Sequence, residues 1–195
     1  MKANVGMEYA VAAAVSAYTP YSSITYSAGF VVTESRGATL TWETQDGEFR
    51  GDNIVLDTAE NVIGYTLDFE TAGLKDAVRA SLLGETKDSG DAYHITGADS
   101  PDVGFGYCSE MREDSSGSVT TTWEAWWLHK IKFKQPNMES RTEEKNKEWR
   151  SPTISGKGAG VFLSAGATAP DYVEHKTFAT LALAKAYLNG KAGIT

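Results

Sequence analysis

The sequence predicts one mostly antiparallel β domain carrying two helices. Three observations lead there. Apolar and polar residues alternate with period two in five separate stretches, the mark of half-buried strands. Only two stretches switch to helical spacing. Aromatics make up 11% of the chain, with five Trp and nine Tyr, so a packed core is available.

The elements follow in order. Val5, Met7, Tyr9 and Val11 fall on one side of an extended opening segment. Ala10–Ala17 reads equally as strand or helical turn. After a break at Tyr18–Ser23, centred on Pro20, residues Ile24, Tyr26, Ala28, Phe30 and Val32 recur at period two. In Gly37–Glu43, Ala38, Leu40 and Trp42 take one face and Thr39, Thr41 and Glu43 the other. Thr44–Asn61 is rich in Asp, Glu, Gly and Asn around Phe49, Ile54 and Leu56, and reads as a long loop or projecting hairpin; so long a connection usually contacts something. Alternation resumes over Asn61–Glu70, with Thr66, Asp68 and Glu70 on the polar side. Leu74, Ala77, Val78, Ser81 and Leu82 share a helical face that ends at Gly84, a C-terminal cap residue.

Val103–Met111 and Ser118–Lys134 read as two strands joined across the Ser/Gly-rich Glu113–Gly117 turn. In the second, Trp123, Ala125, Trp127, His129, Ile131 and Phe133 alternate with Glu124, Trp126, Leu128 and Lys130. Large rings on both faces of one strand need more cover than a small domain supplies, so Trp126 and Leu128 are expected against a neighbouring subunit. Residues 135–150 are expected to project as a second loop. Its charged part, Glu139–Arg150, which holds Glu143, Lys147 and Trp149, reads either as a solvated loop or as a subunit contact laced with ion pairs. A strand or extended segment runs to Ile154, Gly156–Gly160 is a flexible break, and a final helix starts at a Thr177 cap and stops at Asn189-Gly190. No linker divides the 195 residues, so 1–195 is expected to be one domain.

Composition removes several classes. The formal charge of −8 argues against sequence-independent DNA binding, which needs a basic surface. One cysteine, Cys108, excludes an internal disulfide framework and a Cys-cluster zinc site. No apolar run has the length of a membrane span, and the first 17 residues lack a signal-peptide layout, which sets the expectation of a soluble, acidic, cytoplasmic product. His94, His129 and His175 have no second His or Cys at ligand spacing, and no serine sits in a nucleophile context. The Gly104-Phe-Gly106 pair lacks the helix of a nucleotide fingerprint and reads instead as room for bulky neighbours. Asp68 with Glu70, and Asp57 with Glu60, read as solvated carboxylates rather than an acid–base pair. No catalytic, metal or cofactor site is therefore expected.

Taken in order, several pieces together resemble a known family. They are Asn4-Val-Gly-Met-Glu-Tyr9; the strand-loop-strand unit Ala38–Glu70 with the Leu74–Gly84 helix ending Leu-Leu-Gly; Val103-Gly-Phe-Gly-Tyr107 leading into Trp126-Trp-Leu-His-Lys-Ile-Lys-Phe133; Glu148–Gly156; and the end from Phe178 to Ile194. Nearly the whole chain is similar to the major tail protein, or tail tube protein, family of siphovirus-type bacteriophages and related prophages. The Ala-rich Ala10–Ala17 and the Lys/Glu-rich Glu139–Arg150 depart from the family pattern.

The resemblance implies a mainly β (α+β) fold, a tail-tube sandwich or barrel with one flanking and one C-terminal helix. It implies a structural virion protein, not an enzyme, without cofactor. Hexameric rings of this homo-oligomer would stack into a tube, assembled in the bacterial host cytoplasm and residing in the virion tail. Its partners would be tape measure, tail terminator and distal tail proteins. Phage DNA would pass through without specific binding, and no membrane is involved. An acidic lining repels DNA and keeps it mobile, so Thr39, Thr41, Glu43, Thr66, Asp68 and Glu70 are expected to face the lumen. Phe49, Ile54, Leu56, Trp126, Leu128, Glu143, Lys147 and Trp149 are expected between subunits or rings. The competing readings are a secreted or surface β-sandwich that binds carbohydrate on the Trp-rich strand, and another phage structural protein such as a tail terminator or a capsid decoration protein.

Overall fold

A computed structural model describes residues 2–51, 54–115, 118–137 and 151–194, with the main chain alone at 2, 48–51, 54–59 and 115. The strands are β1 (Lys2–Thr19), β2 (Ser23–Val32), β3 (Ser35–Gly51), β4 (Ile54–Thr71), β5 (Thr86–Lys87), β6 (Tyr93–His94), β7 (Val103–Ser115), β8 (Ser118–Phe133), β9 (Thr153–Gly158) and β10 (Val173–Phe178). The helices are α1 (Asp76–Leu83) and α2 (Leu181–Ala192). Eight strands form one sheet in the order β2-β1-β7-β8-β9-β4-β3, with β10 also on β8, and every pairing in it is antiparallel. The short pair β5–β6 stands apart. The mainly β class expected from alternation is what the chain adopts.

The sheet buries apolar residues on both faces. On the inner face Tyr65, Leu67 and Phe69 of β4, Val103 and Phe105 of β7, Ile131 and Phe133 of β8, and Ile154 of β9 pack with Ala10 and Ala12 of β1. Helix α1 adds Leu82 and Leu83, with Val78 and the preceding Leu74 packed alongside; Ala77 and Ser81 of the expected stripe are exposed, and Leu83 takes the buried place instead. It stops where Gly84 turns left-handed, at φ 76°. On the outer face Val11, Ala13, Cys108, Ala125 and Trp127 are covered by Ala184, Leu188 and Ala192 of α2.

Bulges correct the simple alternation. Between Met7 and Tyr9 the β1–β7 register shifts, so Met7 packs on the inner cluster while Tyr9 and Val11 join the outer one. In β8 the register shifts between the pairs Phe105↔Leu128 and Val103↔Ile131. Trp127 therefore faces α2, whereas Leu128, Ile131 and Phe133 all face the inner core. An extra residue exchanges the faces of everything beyond it. Ala10–Ala17 is strand throughout. The final helix is capped by Thr180, whose side chain accepts from the Leu183 amide, and it ends at Gly193; Thr177 and Phe178 belong instead to β10.

The expected break at Gly156–Gly160 is corrected too. Gly156 and Gly158 lie within β9, where a missing side chain makes room for rings. A Cβ on Gly158 would stand 1.8 Å from the Tyr65 ring, and one on Gly156 2.8 Å from Ile131. The glycines of Val103-Gly-Phe-Gly-Tyr107 make room in the same way, with Trp127 2.6 and 2.7 Å from the added Cβ positions of Gly104 and Gly106. Gly158→Ala should push Tyr65 out of its buried slot and cost roughly 2–3 kcal/mol, read from urea unfolding.

Candidate assembly surface

The feature that sets this chain apart is where the sheet stops holding β3 and β4. Strand β9 pairs β4 only from Tyr65↔Gly158 to Glu70↔Thr153. Beyond Gly158 the chain leaves β4 and follows β8, with the Ala159 amide donating to Lys130 O and the His129 amide to Tyr172 O. From Thr44↔Val62 to Gly51↔Ile54, strands β3 and β4 pair, among the described residues, only with each other. At 3.3 Å per residue this ribbon reaches roughly 25 Å. A two-stranded ribbon is marginal in water, and its unpartnered edges invite further strands.

Its root is aromatic. Trp42, Tyr65 and Tyr172 meet edge to face, with centroids 5.9 Å apart for Trp42–Tyr65 and 6.3 Å for the other two pairs. The Tyr172 hydroxyl donates to Val62 O at 2.9 Å, and the buried Tyr65 hydroxyl donates to Lys130 O. Burial raises the Tyr65 phenol far above its ordinary value, so it stays protonated and donating. Outside this root Trp42 is 44% exposed, Val62 42% and Ile63 54%. Trp42 and Val62 line a shallow cleft with Pro170, Asp171, Tyr172 and Val173.

The six polar residues singled out in the sequence share one face. Thr39 pairs with Asp68, Thr41 with Thr66 and Gly37 with Glu70, so their side chains stand opposite those of Leu40, Leu67 and Phe69, which pack on the inner core. Strand β9 extends this polar face with Thr153, Ser155 and Lys157. Lys157 Nζ lies 3.0 Å from Glu43, which also accepts from the Thr66 hydroxyl; these two hydrogen bonds hold the Glu43 carboxyl below its usual range. Ser155 bonds Asp68. Lys132 of β8, paired with Lys157, adds a cation to the same face, so the face is mixed in charge rather than purely acidic. Lys132 lies 3.6 Å from Asp99, and Lys130 lies 3.3 Å from Asp102.

The Trp-rich strand comes out differently from the sequence reading. Leu128 is fully buried in the chain's own inner core, so it is not available to a neighbour. Trp126 is half-buried and stacks between Tyr107, at 6.4 Å and 10°, and His175, at 4.9 Å and 25°. Trp127 is covered by α2. The chain's own helix thus covers Trp127 and its own inner core covers Leu128, while Trp126 stays half-buried beside β10. Of the three tryptophans of β8, Trp127 is buried and Trp123 and Trp126 are half-buried. Sequence reasoning placed Trp42 on an apolar face but missed that it stays exposed, because nothing local shows that Tyr172, 130 residues on, reaches the ribbon root.

Of the other expected contact residues, the side chains of Phe49, Ile54 and Leu56 lie outside the described residues, although their main chain is in the ribbon. Glu143, Lys147 and Trp149 lie outside them altogether. Among the described residues no three His, Cys, Asp or Glu side chains gather to hold a metal ion, and no helix is long and apolar enough to cross a membrane. No protein-family model matches the chain, and no curated protein matches it in sequence. The class the fold itself defines is a mainly β protein built on one large antiparallel sheet.

Proposed function

We propose that this chain is a structural subunit that polymerises, as stacked hexameric rings, into the hollow tail tube of a siphovirus-type phage. The observation that carries the reading is the β3–β4 ribbon, both of whose edges lack a strand partner among the described residues and whose root exposes apolar side chains. Such a ribbon is stabilised when copies of the chain supply the missing surfaces. A contact between unlike faces of identical subunits propagates as a filament when it does not close.

The polar face of β3, β4 and β9 suits a lumen wall. Its carboxylates repel a polyanion, and Lys157, Lys132 and Lys130 already sit beside Glu43, Asp99 and Asp102. Cations engaged in this way give passing DNA little to hold. On this reading the protein is not an enzyme; it meets tape measure, terminator and distal tail proteins, assembles in the host cytoplasm and ends in the virion tail. Negative-stain images of the purified chain, with light scattering across a concentration series, test it. Rings or long hollow tubes are the expected result. Rings that never stack favour a terminator, and a strict monomer at high concentration rejects both.

A further inference from the structure

We propose that α2 is a detachable cover over the outer face of the sheet, fastened by a polar latch centred on Glu174 that loosens in acid. The inference is independent of the assembly reading and starts from how the two clusters divide the molecule. None of the residues that form the inner core belongs to α2. The helix docks only on the second cluster, to which it contributes Ala184, Leu188 and Ala192 as its buried side chains. Beneath it lie the small Val11, Ala13, Cys108 and Ala125 beside Trp127, with Tyr9, Tyr26, Trp123 and Phe178 packed around them. The large polar atom there is satisfied without the helix, since Trp127 Nε1 donates to the Tyr26 hydroxyl at 3.3 Å, and that hydroxyl donates to His129 O at 2.9 Å. Lifting α2 therefore leaves the inner core intact and strands neither of these donors, the condition for opening as a separate unit.

Beside its apolar contact with the second cluster, the helix is fastened along its flanks by polar contacts. Glu174 of β10 accepts from Lys191 Nζ at 2.6 Å and from the Tyr187 hydroxyl. On the other flank the Tyr9 hydroxyl donates to Asn189 at 2.8 Å, and Lys185 sits 4.9 Å from the Tyr9 ring centre. The groups that face Glu174 are Tyr187 and Lys191 of α2, His129 of β8 and Tyr26 of β2. His129 in turn senses Lys191 and Asp171. Burial alone would raise the Glu174 carboxyl, but its hydrogen bonds from Lys191 and Tyr187 outweigh that and hold it below 4.5. Burial lowers His129 below 6.5.

Both shifts act in the same direction. A depressed carboxylate contributes stability above its unfolded value, and that contribution is lost as pH falls through the folded one. A histidine kept neutral by burial disfavours the closed form once pH drops below its unfolded value. His129 disfavours the closed form from about pH 6.5 downward, whereas Glu174 loosens the latch only below about pH 4.5.

Cys108, the one thiol, lies fully buried under α2 and reports the opening directly. Burial pushes that thiol up to about 11, so it reacts only when uncovered. The experiment is labelling of the native chain with 4,4′-dithiodipyridine, which reads thiols at acidic pH, across low urea and from pH 7.5 to 4. The expected result is labelling with a much weaker urea dependence than whole-chain unfolding, rising about threefold to tenfold toward pH 4. Tyr187→Phe and Glu174→Gln should each speed labelling at pH 7.5 by about five- to tenfold while circular dichroism stays native. Labelling whose urea slope equals that of global unfolding overturns the proposal, and so do unchanged rates in both variants.

Discussion

Replacing residues 46–60 by an Asn-Gly turn between Gln45 and Asn61 should leave a folded subunit that no longer polymerises. Gln45 and Asn61 are directly paired, so a two-residue turn closes the shortened hairpin. Among the residues whose side chains are described, none of either buried cluster lies between 44 and 61. The loss of the ribbon removes none of the described core contacts, and the thermal midpoint should move by only a few degrees, which corresponds to less than about 1 kcal/mol. Assembly should fall from tubes to monomers in light scattering and negative stain. Tubes of normal length from the shortened chain would mean that the ribbon is not the contact.

The largest stability effect should come from Trp127→Ala. The indole is fully buried between the sheet and α2, with Tyr26 edge-on at 5.1 Å. Gly104 and Gly106 form the floor on which the ring rests. Removing it opens a cavity that two glycines cannot fill, and the cost should be about 3–5 kcal/mol in urea unfolding, enough to unfold a chain of ordinary stability. Trp126→Ala, at a half-exposed position in a stacked ladder, should cost less than half as much. Equal losses at the two positions would contradict the assignment of Trp127 to the covered face.

These two adjacent tryptophans show what was legible in the sequence and what was not. Period-two alternation located most of the large strands, because burying one face of a strand imposes that pattern on its residues. Leu74, Val78, Leu82 and Gly84 likewise announced α1 together with its cap. A bulge leaves no such mark. The extra residue in β8 moves Ile131 and Phe133 to the face opposite Trp127, and only the pairing with β7 reveals it. Strand β10 was hidden because Val173-Glu-His-Lys-Thr-Phe178 alternates weakly and takes its place from β8. The glycines of β9 looked like a break because their purpose, room for Tyr65, Ile131 and Phe133, lies on other strands.

The same division holds for the assembly surface. Its polar half was legible, since Thr39, Thr41, Glu43, Thr66, Asp68 and Glu70 follow from alternation on two neighbouring strands. The exposed root at Trp42, Val62 and Ile63 was not, because exposure there depends on where β9 ends and where Tyr172 arrives. Lys157 joins the polar face through its pairing with Thr66, 91 residues earlier, and Lys132 through its pairing with Lys157.

Hydrogen exchange read by mass spectrometry over residues 44–63, first in dilute solution and then after concentration, bears most directly on whether copies of the chain complete the ribbon. Amides along its outer edges should exchange rapidly in the lone subunit and become strongly protected on assembly, while those of β7 and β8 are slow in both. A ribbon that is equally protected at every concentration, in a chain that never leaves the monomeric state, would contradict it.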